Sequence, residues 1–421
     1  MIPDSDRAAL KDSWSKYCDT LKESGLRHIE DRAEIDVDNP QELAELVRAI
    51  ARMSLASLQH RLDFNDPDFP VFFRQLDDRF KHNGPDTFVN YYSAPYRGTA
   101  TYRIRGNHHG RPFNVGPLWS VRGMEINADG SYEIVASAQE QPGNWVKLDP
   151  NVQSGVVVPK DQPGPGGSNG LGGRWYHIDP EDDRPGQLTI ERVDPSAPLL
   201  PRTLSPDLLC EQIDSATSLI AAMAEWHPQR CQRIRDTYAP NEIAAPSQLP
   251  PGKPEMAVRP GNPLYYGVCA YVLEPEEALV VESDIPDCDY WSFTLNNPWW
   301  EGGDYQHRQQ SIGNKGAYLD ADGKFRAVIS SQDPGLPNWL DTGGSRRGFL
   351  FYRWWWPKAL EPAEGSTWPV EGDGLPTPSV TLTNVSDVRE LFPNQHPTID
   401  ESARRAQLAA RRTWLAKRWQ Q

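Results

Sequence analysis

The sequence predicts a mainly β protein with helical additions: two jelly-roll-like antiparallel β units plus N-terminal, connecting and C-terminal helices. Its 39 prolines and 32 glycines separate short aromatic runs, a composition typical of sandwiches and jelly rolls rather than helical bundles. A chain of 421 residues is also too long for one ordinary hydrophobic core, so we expect two domains. A set of residues that occurs twice in one order predicts that the β units are copies.

Amphipathic segments predict the helices. Apolar residues recur with a period of about 3.6 in residues 10–21, which predicts the first helix. A second helix begins after Asn39, which is suited to cap it, with Pro40 in the first turn. The third begins at 205–206, and the last begins at 398–401, where Thr-Ile-Asp-Glu matches a capping box.

Segments in which apolar and polar residues alternate predict the strands between these helices. Aromatic and β-branched residues are frequent in them, as the pleated surface of a sheet favours. The Asp-Gly pairs at 129–130 and 322–323 indicate hairpin turns. The predicted strands include 102–105, 132–135, 188–191, 270–273, 290–293 and 349–352.

A repeat connects the two halves of the chain. Residues 128–140 and 321–333 each carry an Asp-Gly turn, an alternating strand and a Ser-x-Gln-acid sequence. An Asn-Trp pair then follows in each half, at 144–145 and 338–339, with a shift of one residue. Chance explains a turn and a strand more easily than the whole ordered set, so we interpret the segments as two copies of one β unit. We expect the two asparagines to occupy equivalent turns.

These elements predict five regions. They are a helical N-terminal region (1–84), a first β unit (85–200), a helical connector (201–254), a second jelly-roll-like β unit (255–360) and a C-terminal extension with a helix (361–421). We expect the terminal helices to cover the outer faces of the β units, where they would also protect edge strands.

Charge and hydropathy exclude several classes of partner. The net charge of −15 repels phosphate backbones and anionic lipid, which argues against nucleic acid and membrane as partners. No apolar run approaches the length of about 18 residues that a membrane span needs. The N-terminus lacks a basic region followed by an apolar one, so we expect no export signal and a cytoplasmic location.

The cysteine and histidine patterns predict no metal and no cofactor. The five cysteines are scattered, without a CxxC pair, and are interpreted as structural thiols in a reducing compartment. The only hints of a metal are His108-His109 and residues 177–179. The His-x-His, Glu and later His of a cupin-type site are absent, so surface or hydrogen-bonded histidines are favoured.

One stretch of motifs resembles a known family. The motifs lie at 290–295, 299–300, 304–305, 307–308, 333–335, 338–342 and 353–354. With them, residues 262–357 resemble the C-terminal module of domain-of-unknown-function family 1214. Residues 102–106, 143–145 and 190–192 look like the N-terminal part of longer members of that family. The resemblance implies jelly-roll-like architecture, often as two units in series, and it implies little chemistry because the family's activity is mostly unassigned.

The segment 299–308 concentrates acid, base, cation and aromatic side chains in a predicted loop, and loops on rigid scaffolds often carry function. Asp304 or His307 is a candidate general acid or base, and Arg308 is suited to hold an anionic group. Trp300 is a candidate for ligand contact. The structural alternative is a loop held by packed tryptophans and an Asp304–Arg308 ion pair.

A second candidate is the pair Asp333 and Asp341, which flank Asn338-Trp339. Two carboxylates beside a Trp suit glycosidic cleavage, in which one donates a proton and the other attacks or activates water. Because Glu140 and Asn144-Trp145 recur in the other copy, the alternative is that Asp forms the turn and Asn caps it.

A third candidate is Arg353 with Trp354, Trp355 and Trp356 at the end of a predicted strand. Strand side chains alternate, so the three tryptophans cannot all face one core, and we expect at least one to be exposed or to line a cleft. A Trp beside polar groups suits a sugar ring or an apolar ligand such as a sterol or aryl compound. The alternative is a surface that the C-terminal helix covers.

We therefore expect a small-molecule enzyme, a hydrolase or lyase, that acts on a carbohydrate or glycoside-like compound by acid–base chemistry in a Trp-lined cleft. The expected catalytic residues are Asp304, His307 and Asp333. The expected ligand-binding residues are Trp300, Arg308, Asn338, Trp339, Asp341 and Arg353. Two alternatives stay open: a non-catalytic binding module for an apolar or sugar ligand, and a structural or oligomeric protein without a small-molecule site. The sequence also leaves a homo-oligomer open.

Overall fold

The computed structural model describes residues 3–30, 35–76, 79–120, 122–152, 171–177, 186–244, 263–363, 366, 368–369 and 372–419. These residues divide into two compact units. The first lies within Met1–Asn83, Val89–His177 and Arg184–Arg230, and the second within Gly84–Phe88, Ile178–Asp183 and Cys231–Gln421. The short segment Gly84–Phe88 thus belongs to the second unit although its neighbours in sequence belong to the first. The predicted boundary at 254 falls outside the described residues.

Helices pack together in the first unit. They are α1 (Asp4–Ile29), α2 (Pro40–Leu58) and α3 (Pro206–Thr237), and α3 contributes its residues up to Arg230. Met53 of α2 lies in one buried cluster with Ile220 of α3, and Tyr17 of α1 lies in another with Ile213 of α3. The apolar stripes of the sequence therefore face each other, as amphipathic helices require.

One predicted helix start is confirmed, and another lies slightly later than predicted. Asn39 Oδ1 accepts the Glu42 N–H at 3.0 Å, so α2 begins at Pro40 as predicted. The last helix, α4 (Glu401–Trp419), begins two to three residues later than the predicted box, because Asp400 Oδ1 accepts the Ala403 N–H at 2.8 Å. Both contacts satisfy amide groups that the first helical turn leaves unpaired.

The first unit also contains a β sandwich. Its strands are β1 (Phe73–Leu76), β2 (Val89–Ala94), β3 (Tyr102–Asn107), β4 (Phe113–Val115), β5 (Leu118–Trp119), β6 (Ser131–Ser137), β7 (Trp145–Lys147), β8 (Leu171–Tyr176) and β9 (Gln187–Arg192). Sheet I has the order β1-β2-β8-β4-β5, and sheet II has the order β7-β6-β3-β9. Phe113 and Trp175 of sheet I share one buried core with Tyr102 and Ile134 of sheet II.

The second unit contains another sandwich. Its strands are β10 (Leu264–Val272), β11 (Glu277–Ser283), β12 (Cys288–Asn296), β13 (Ser311–Gly313), β14 (Phe325–Ser330), β15 (Trp339–Asp341), β16 (Arg347–Pro357) and β17 (Ser379–Asn384). Sheet III has the order β10-β16-β12-β13, and sheet IV has the order β15-β14-β11-β17. The sheets meet where Phe293 of β12 stacks on Phe325 of β14, with ring centroids 4.6 Å apart.

The two sandwiches have the same strand order. When β2 to β9 are matched in sequence to β10 to β17, sheet I without β1 reproduces sheet III, and sheet II reproduces sheet IV. Each unit therefore has eight equivalent strands in two sheets, the strand number of a jelly roll. Each also contains one parallel pair, β6–β7 and β14–β15, which departs from the predicted antiparallel pairing. The chain is mainly β with helical additions, as predicted. The last equivalent strand, β17, lies within the predicted C-terminal extension.

The repeated Asn-Trp pair has one role in both units. Asn144 Oδ1 accepts the Glu125 N–H, and its Nδ2 donates to the Glu125 and Glu133 carbonyls. Asn338 makes the same three bonds to the Tyr318 N–H, the Tyr318 carbonyl and the Arg326 carbonyl. The following Trp also repeats its contact, because Nε1 of Trp145 donates to Ser137 and Nε1 of Trp339 donates to Ser330. The expected equivalence of the two asparagines is found at the level of individual hydrogen bonds.

Helix α4 packs on the second unit. Arg404 binds Asp333, and Arg411 donates to the Tyr305 carbonyl and to Ser311. Trp414 stacks on Phe88, with ring centroids 5.2 Å apart. Within the described part of the chain, no helix is long and apolar enough to cross a membrane.

Candidate functional site

Strand β12 of sheet III carries polar side chains on the face that points away from the sandwich core. Trp291 and Phe293 face the core, where both contact Phe325. Since side chains alternate along a strand, the residues between them point to the opposite face. These residues are Tyr290, Ser292, Thr294 and Asn296, and we call them the polar row. All are buried, which is unusual for four consecutive polar positions on one strand face.

The carboxylate of Asp86 lies against the first half of the polar row. Its Oδ2 accepts hydrogen bonds from the Tyr290 hydroxyl at 2.6 Å and from the Ser292 hydroxyl at 2.7 Å. Its Oδ1 accepts the Phe88 N–H at 3.0 Å. Burial raises the pKa of Tyr290 well above its ordinary value, and the negative charge of Asp86 raises it further. The phenol therefore stays protonated and acts as a hydrogen-bond donor.

Arg353, predicted to bind ligand, lies beside Asp86 instead of facing solvent. It is paired with Ser292 in the β12–β16 ladder, and its Nη1 lies 3.6 Å from Asp86 Oδ2. Its Nη2 donates to the Gly84 carbonyl at 2.8 Å. Asp86 and Arg353 thus offset each other's charge, as buried ionic groups require.

The second half of the polar row has unsatisfied polar atoms. Within the described part of the chain, Thr294 Oγ1 and both amide atoms of Asn296 have no hydrogen-bond partner, although the residues are only 1% and 2% exposed. Phe351 and Phe349 are their neighbours on β16. An unpaired buried polar group costs roughly 1–3 kcal/mol, so native proteins retain few of them. The arrangement offers free donors and acceptors beside two aromatic rings.

The loop that follows Asn296 has a strained backbone. Trp300 has a φ of 56°, a left-handed conformation that is unusual for a bulky residue. Asn297 Oδ1 accepts from the amides of Trp299 and Glu301, both at 3.0 Å, and holds this turn. The Trp300 ring stacks on Phe351, with centroids 5.2 Å apart and ring planes 11° from parallel. Trp300, predicted to bind ligand, is buried in this stack.

The same loop presents an accessible acid–base pair. His307 Nδ1 lies 2.8 Å from Asp304 Oδ1, and both side chains are more than half exposed. The predicted ion pair between Asp304 and Arg308 is wrong, because Arg308 binds Asp341 at 2.8 Å. Asp341 is buried while the Arg308 side chain stays half exposed, so the pair fixes the guanidinium at the surface. We call Asp304 and His307 the loop pair.

The other predicted catalytic carboxylate has a structural contact. Asp333 accepts two hydrogen bonds from Arg404, each 2.9 Å long, and its Oδ1 also accepts the Gly335 N–H. No hydrogen bond joins it to the loop pair. Trp339 also lies against Arg404, whose guanidinium is 5.0 Å from the ring centroid. Asp333 and Trp339 thus contact α4, and Asn338 binds backbone groups of Tyr318 and Arg326.

The prediction of an exposed tryptophan at 354–356 is wrong. All three side chains are buried, because both faces of sheet III are covered along β16. Trp354 points to the core, where its ring lies 5.7 Å from Phe293. Trp356, near the end of β16, has a φ of 57°, and its ring centroid lies 4.9 Å from that of Trp368.

A buried network in the second unit was not predicted from the sequence. His396 Nδ1 lies 2.8 Å from Asp320 Oδ1, and Arg326 donates to Asp320 Oδ2 at 2.7 Å. Arg326 also binds Glu282 and Asp322, and these bonds raise the pKa of Arg326. Burial lowers the pKa of His396 even though Asp320 acts in the opposite direction. The network therefore contains a neutral histidine near neutral pH.

The histidines that hinted at a metal have other neighbours. His108 Nδ1 lies 3.2 Å from the Arg111 carbonyl, and His177 is hydrogen-bonded to Arg111. Residues 178–179 lie outside the described residues. Across the described ranges, no three His, Cys, Asp or Glu side chains are placed to hold a metal ion.

The polar row has a signal in the sequence. Residues 290–296 alternate polar and apolar side chains, so a row of Tyr, Ser, Thr and Asn on one face is readable from period two alone. The sequence does not reveal that the row is buried or that Asp86 binds it, because Asp86 lies 204 residues before Tyr290.

One solved structure supports this architecture. An uncharacterised protein from Burkholderia cenocepacia has a similar solved structure, with a TM-score of 0.70 and 27% sequence identity over 90% of this chain and 99% of that chain. The VPA0106 protein from Vibrio parahaemolyticus aligns with a TM-score of 0.38 and 12% identity over 80% of this chain and 99% of that chain. No curated protein matches. Residues 266–359 match the model of the family described as "Protein of unknown function (DUF1214)". The C-terminal module of the chain, which contains the polar row and the loop pair, therefore belongs to the DUF1214 family.

Proposed function

We propose that the protein is a cytoplasmic enzyme that acts on a hydroxyl-bearing, carbohydrate-like small molecule by acid–base chemistry at the loop pair. The observation that supports this proposal is the 2.8 Å contact between Asp304 and His307 in an exposed loop of the DUF1214 module. A carboxylate on one imidazole nitrogen sets the tautomer and ring orientation, and it leaves the other nitrogen to exchange a proton with a substrate.

The neighbouring residues suggest a division of roles. His307 Nε2 would take a proton from a water molecule as the water attacks the glycosyl or acyl carbon, and it would return that proton to the departing oxygen as its bond to that carbon breaks, while Asp304 would stabilise the transient imidazolium. Arg308, held by Asp341 and half exposed, would orient an electronegative substituent of the substrate. Asp333 has no part in this scheme because Arg404 engages both of its oxygens.

The burial of the tryptophans changes the expected mode of substrate binding. Trp354, Trp355 and Trp356 serve the core, and Trp300 stacks on Phe351, so a sugar ring would not lie on them. The proposal therefore rests on proton transfer and polar contacts at the loop. For these tryptophans, burial favours the structural role that was one of the alternatives.

The proposal is tested with His307→Gln and Asp304→Asn, assayed on a panel of 4-nitrophenyl glycosides and 4-nitrophenyl esters. We expect the wild type to turn over at least one compound. His307→Gln should lower kcat by about 100-fold or more, since general acid–base catalysis contributes roughly 10²–10⁴. Asp304→Asn should cause a smaller loss because it removes the orienting group and keeps the imidazole.

The control is Glu401→Gln, which removes an exposed ion pair with Arg405 on α4 and should leave turnover unchanged. All variants should melt within about 2 °C of the wild type, because exposed charge pairs contribute little stability. Full activity of His307→Gln, or no turnover of any compound by the wild type, would refute the proposal.

A further inference from the structure

We infer that Thr294 and Asn296 bind a neutral small molecule that carries hydroxyl or carboxamide groups beside an apolar ring face. This site lies on the outer face of sheet III, and the argument for it is independent of the loop pair. The inference assigns specific residues to the non-catalytic binding module that the sequence left open as an alternative.

The hydrogen-bonding capacity of these two side chains is unused. Thr294 Oγ1 is both a donor and an acceptor, and Asn296 contributes donor hydrogens at Nδ2 and acceptor sites at Oδ1. None of these atoms has a hydrogen-bond partner among the residues that the structure describes, and both residues are almost fully buried. By contrast, Tyr290 and Ser292 in the same row are satisfied by Asp86. The unsatisfied atoms are therefore confined to one end of the row, as expected where a ligand supplies the missing partners.

The charges of the row favour a neutral ligand. Its adjacent charged groups, Asp86 and Arg353, lie 3.6 Å apart and offset each other. An anion or cation placed against Thr294 and Asn296 would lose its hydration without gaining an opposite charge from the row. A hydroxyl or carboxamide group pairs with both side chains at no such cost.

The strand beside the row supplies an apolar surface. Phe351 and Phe349 of β16 are paired with Thr294 and Asn296, and directly paired residues project from the same face of a sheet. Trp300 stacks on Phe351, so these rings form the apolar surroundings of the unpaired amide and hydroxyl groups and not an open stacking surface. A ligand there would combine hydroxyl or carboxamide groups with an apolar part, as monosaccharides, inositols and aromatic amides do.

The strained loop after Asn296 covers this surface. Trp300, with a positive φ, stacks on Phe351, while Asn297 holds the turn. Backbone strain of this kind costs roughly 1 kcal/mol or more per residue and persists only where the surrounding structure holds it. The ring stack and the Asn297 hydrogen bonds therefore hold the loop over this end of the row.

The test measures melting temperature with three probes: D-glucose, myo-inositol and benzamide. We expect at least one probe to raise the melting temperature of the wild type by about 2 °C or more, since binding to the native state stabilises it. Thr294→Val and Asn296→Leu should abolish that shift. Thr294→Ser, which keeps the hydroxyl, should retain it.

The same variants distinguish a ligand site from a structural network. Without probe, Thr294→Val should melt at or above the wild-type temperature, because it removes an unpaired hydroxyl without changing the shape of the side chain. The matched control Ser292→Ala, which breaks a bond to Asp86, should melt lower. A decrease in Thr294→Val as large as that in Ser292→Ala, a probe shift that survives in the Val and Leu variants, or no shift with any probe would each overturn the inference. Activity at the loop pair does not enter this measurement.

Discussion

His396 shows how a single residue acquires its properties from distant neighbours. It lies 76 residues from Asp320, yet the two are hydrogen-bonded in a buried network with Arg326. Removal from water disfavours the charged imidazole more than Asp320 favours it, so the pKa of His396 is lowered. The sequence around His396 contains no pattern that indicates this environment.

We expect this histidine to make stability fall in mild acid. In the unfolded chain its pKa returns to about 6.5, so below that pH the unfolded state binds more protons than the native state. Native stability from this group is therefore complete above about pH 6.5 and decreases as the pH falls toward the lower pKa of the folded protein. Melting temperatures at pH 8 and pH 5.5 should differ less for His396→Gln than for the wild type. An equal or larger difference in the variant would contradict this prediction.

Helix α4 shows how an element is positioned by a few buried contacts. Arg404 is almost fully buried, binds both oxygens of Asp333, donates to the Leu336 carbonyl and lies over the Trp339 ring. Asp333 was a candidate catalytic residue because it ends a strand at a turn. The structure gives it a partner on α4, and such bidentate pairs favour a fixed geometry.

Arg404→Ala should lower the free energy of unfolding by about 2 kcal/mol, because it leaves the Leu336 carbonyl and one side of Asp333 without a donor. The matched control is Arg405→Ala on the same helix, whose exposed pair with Glu401 should be worth less than about 0.5 kcal/mol. Urea unfolding curves give both values. Similar losses in the two variants would show that α4 does not depend on the Arg404 contacts.

At the scale of the whole molecule, the chain contains one sandwich design twice. Eight strands follow the same order in both units, and the same parallel strand pair closes the end of sheets II and IV. The units also differ: β16 and β12 of the second unit are long and buried, and the polar row lies on β12. Duplicated features thus build the fold, and the candidate sites occur where the two copies diverge.

The duplication predicts matched effects of matched substitutions. Asn144→Ala and Asn338→Ala each remove three hydrogen bonds to backbone groups between strands, so each should cost about 3 kcal/mol. Chemical denaturation of both variants measures the two losses. If the two losses in the free energy of unfolding differ by more than about 2 kcal/mol, the two turns do not contribute equally to stability despite their matching hydrogen bonds.

The helices, most strands and the repeat were predictable from the sequence, because each depends on local periodicity, capping residues and turn chemistry. Asn39 before Pro40 and the alternating residues 102–105 are examples whose outcome matches the structure. The repeat could be recognised for the same reason, since its residues form a turn, a strand and hydrogen bonds within one short segment of each half. The alternation of polar and apolar residues along 290–296 also places the residues of the polar row on one face of the strand.

Which of these residues contact each other, and which are buried, depends on tertiary packing. Asp86 reaches Tyr290 across 204 positions, Asp333 is bound by Arg404, and Trp354–Trp356 are buried because both faces of their sheet are covered. Side-chain alternation specifies that neighbouring residues face opposite ways, but it does not specify whether either face meets water. That depends on what packs against the sheet, and those contacts join segments that the linear sequence keeps far apart.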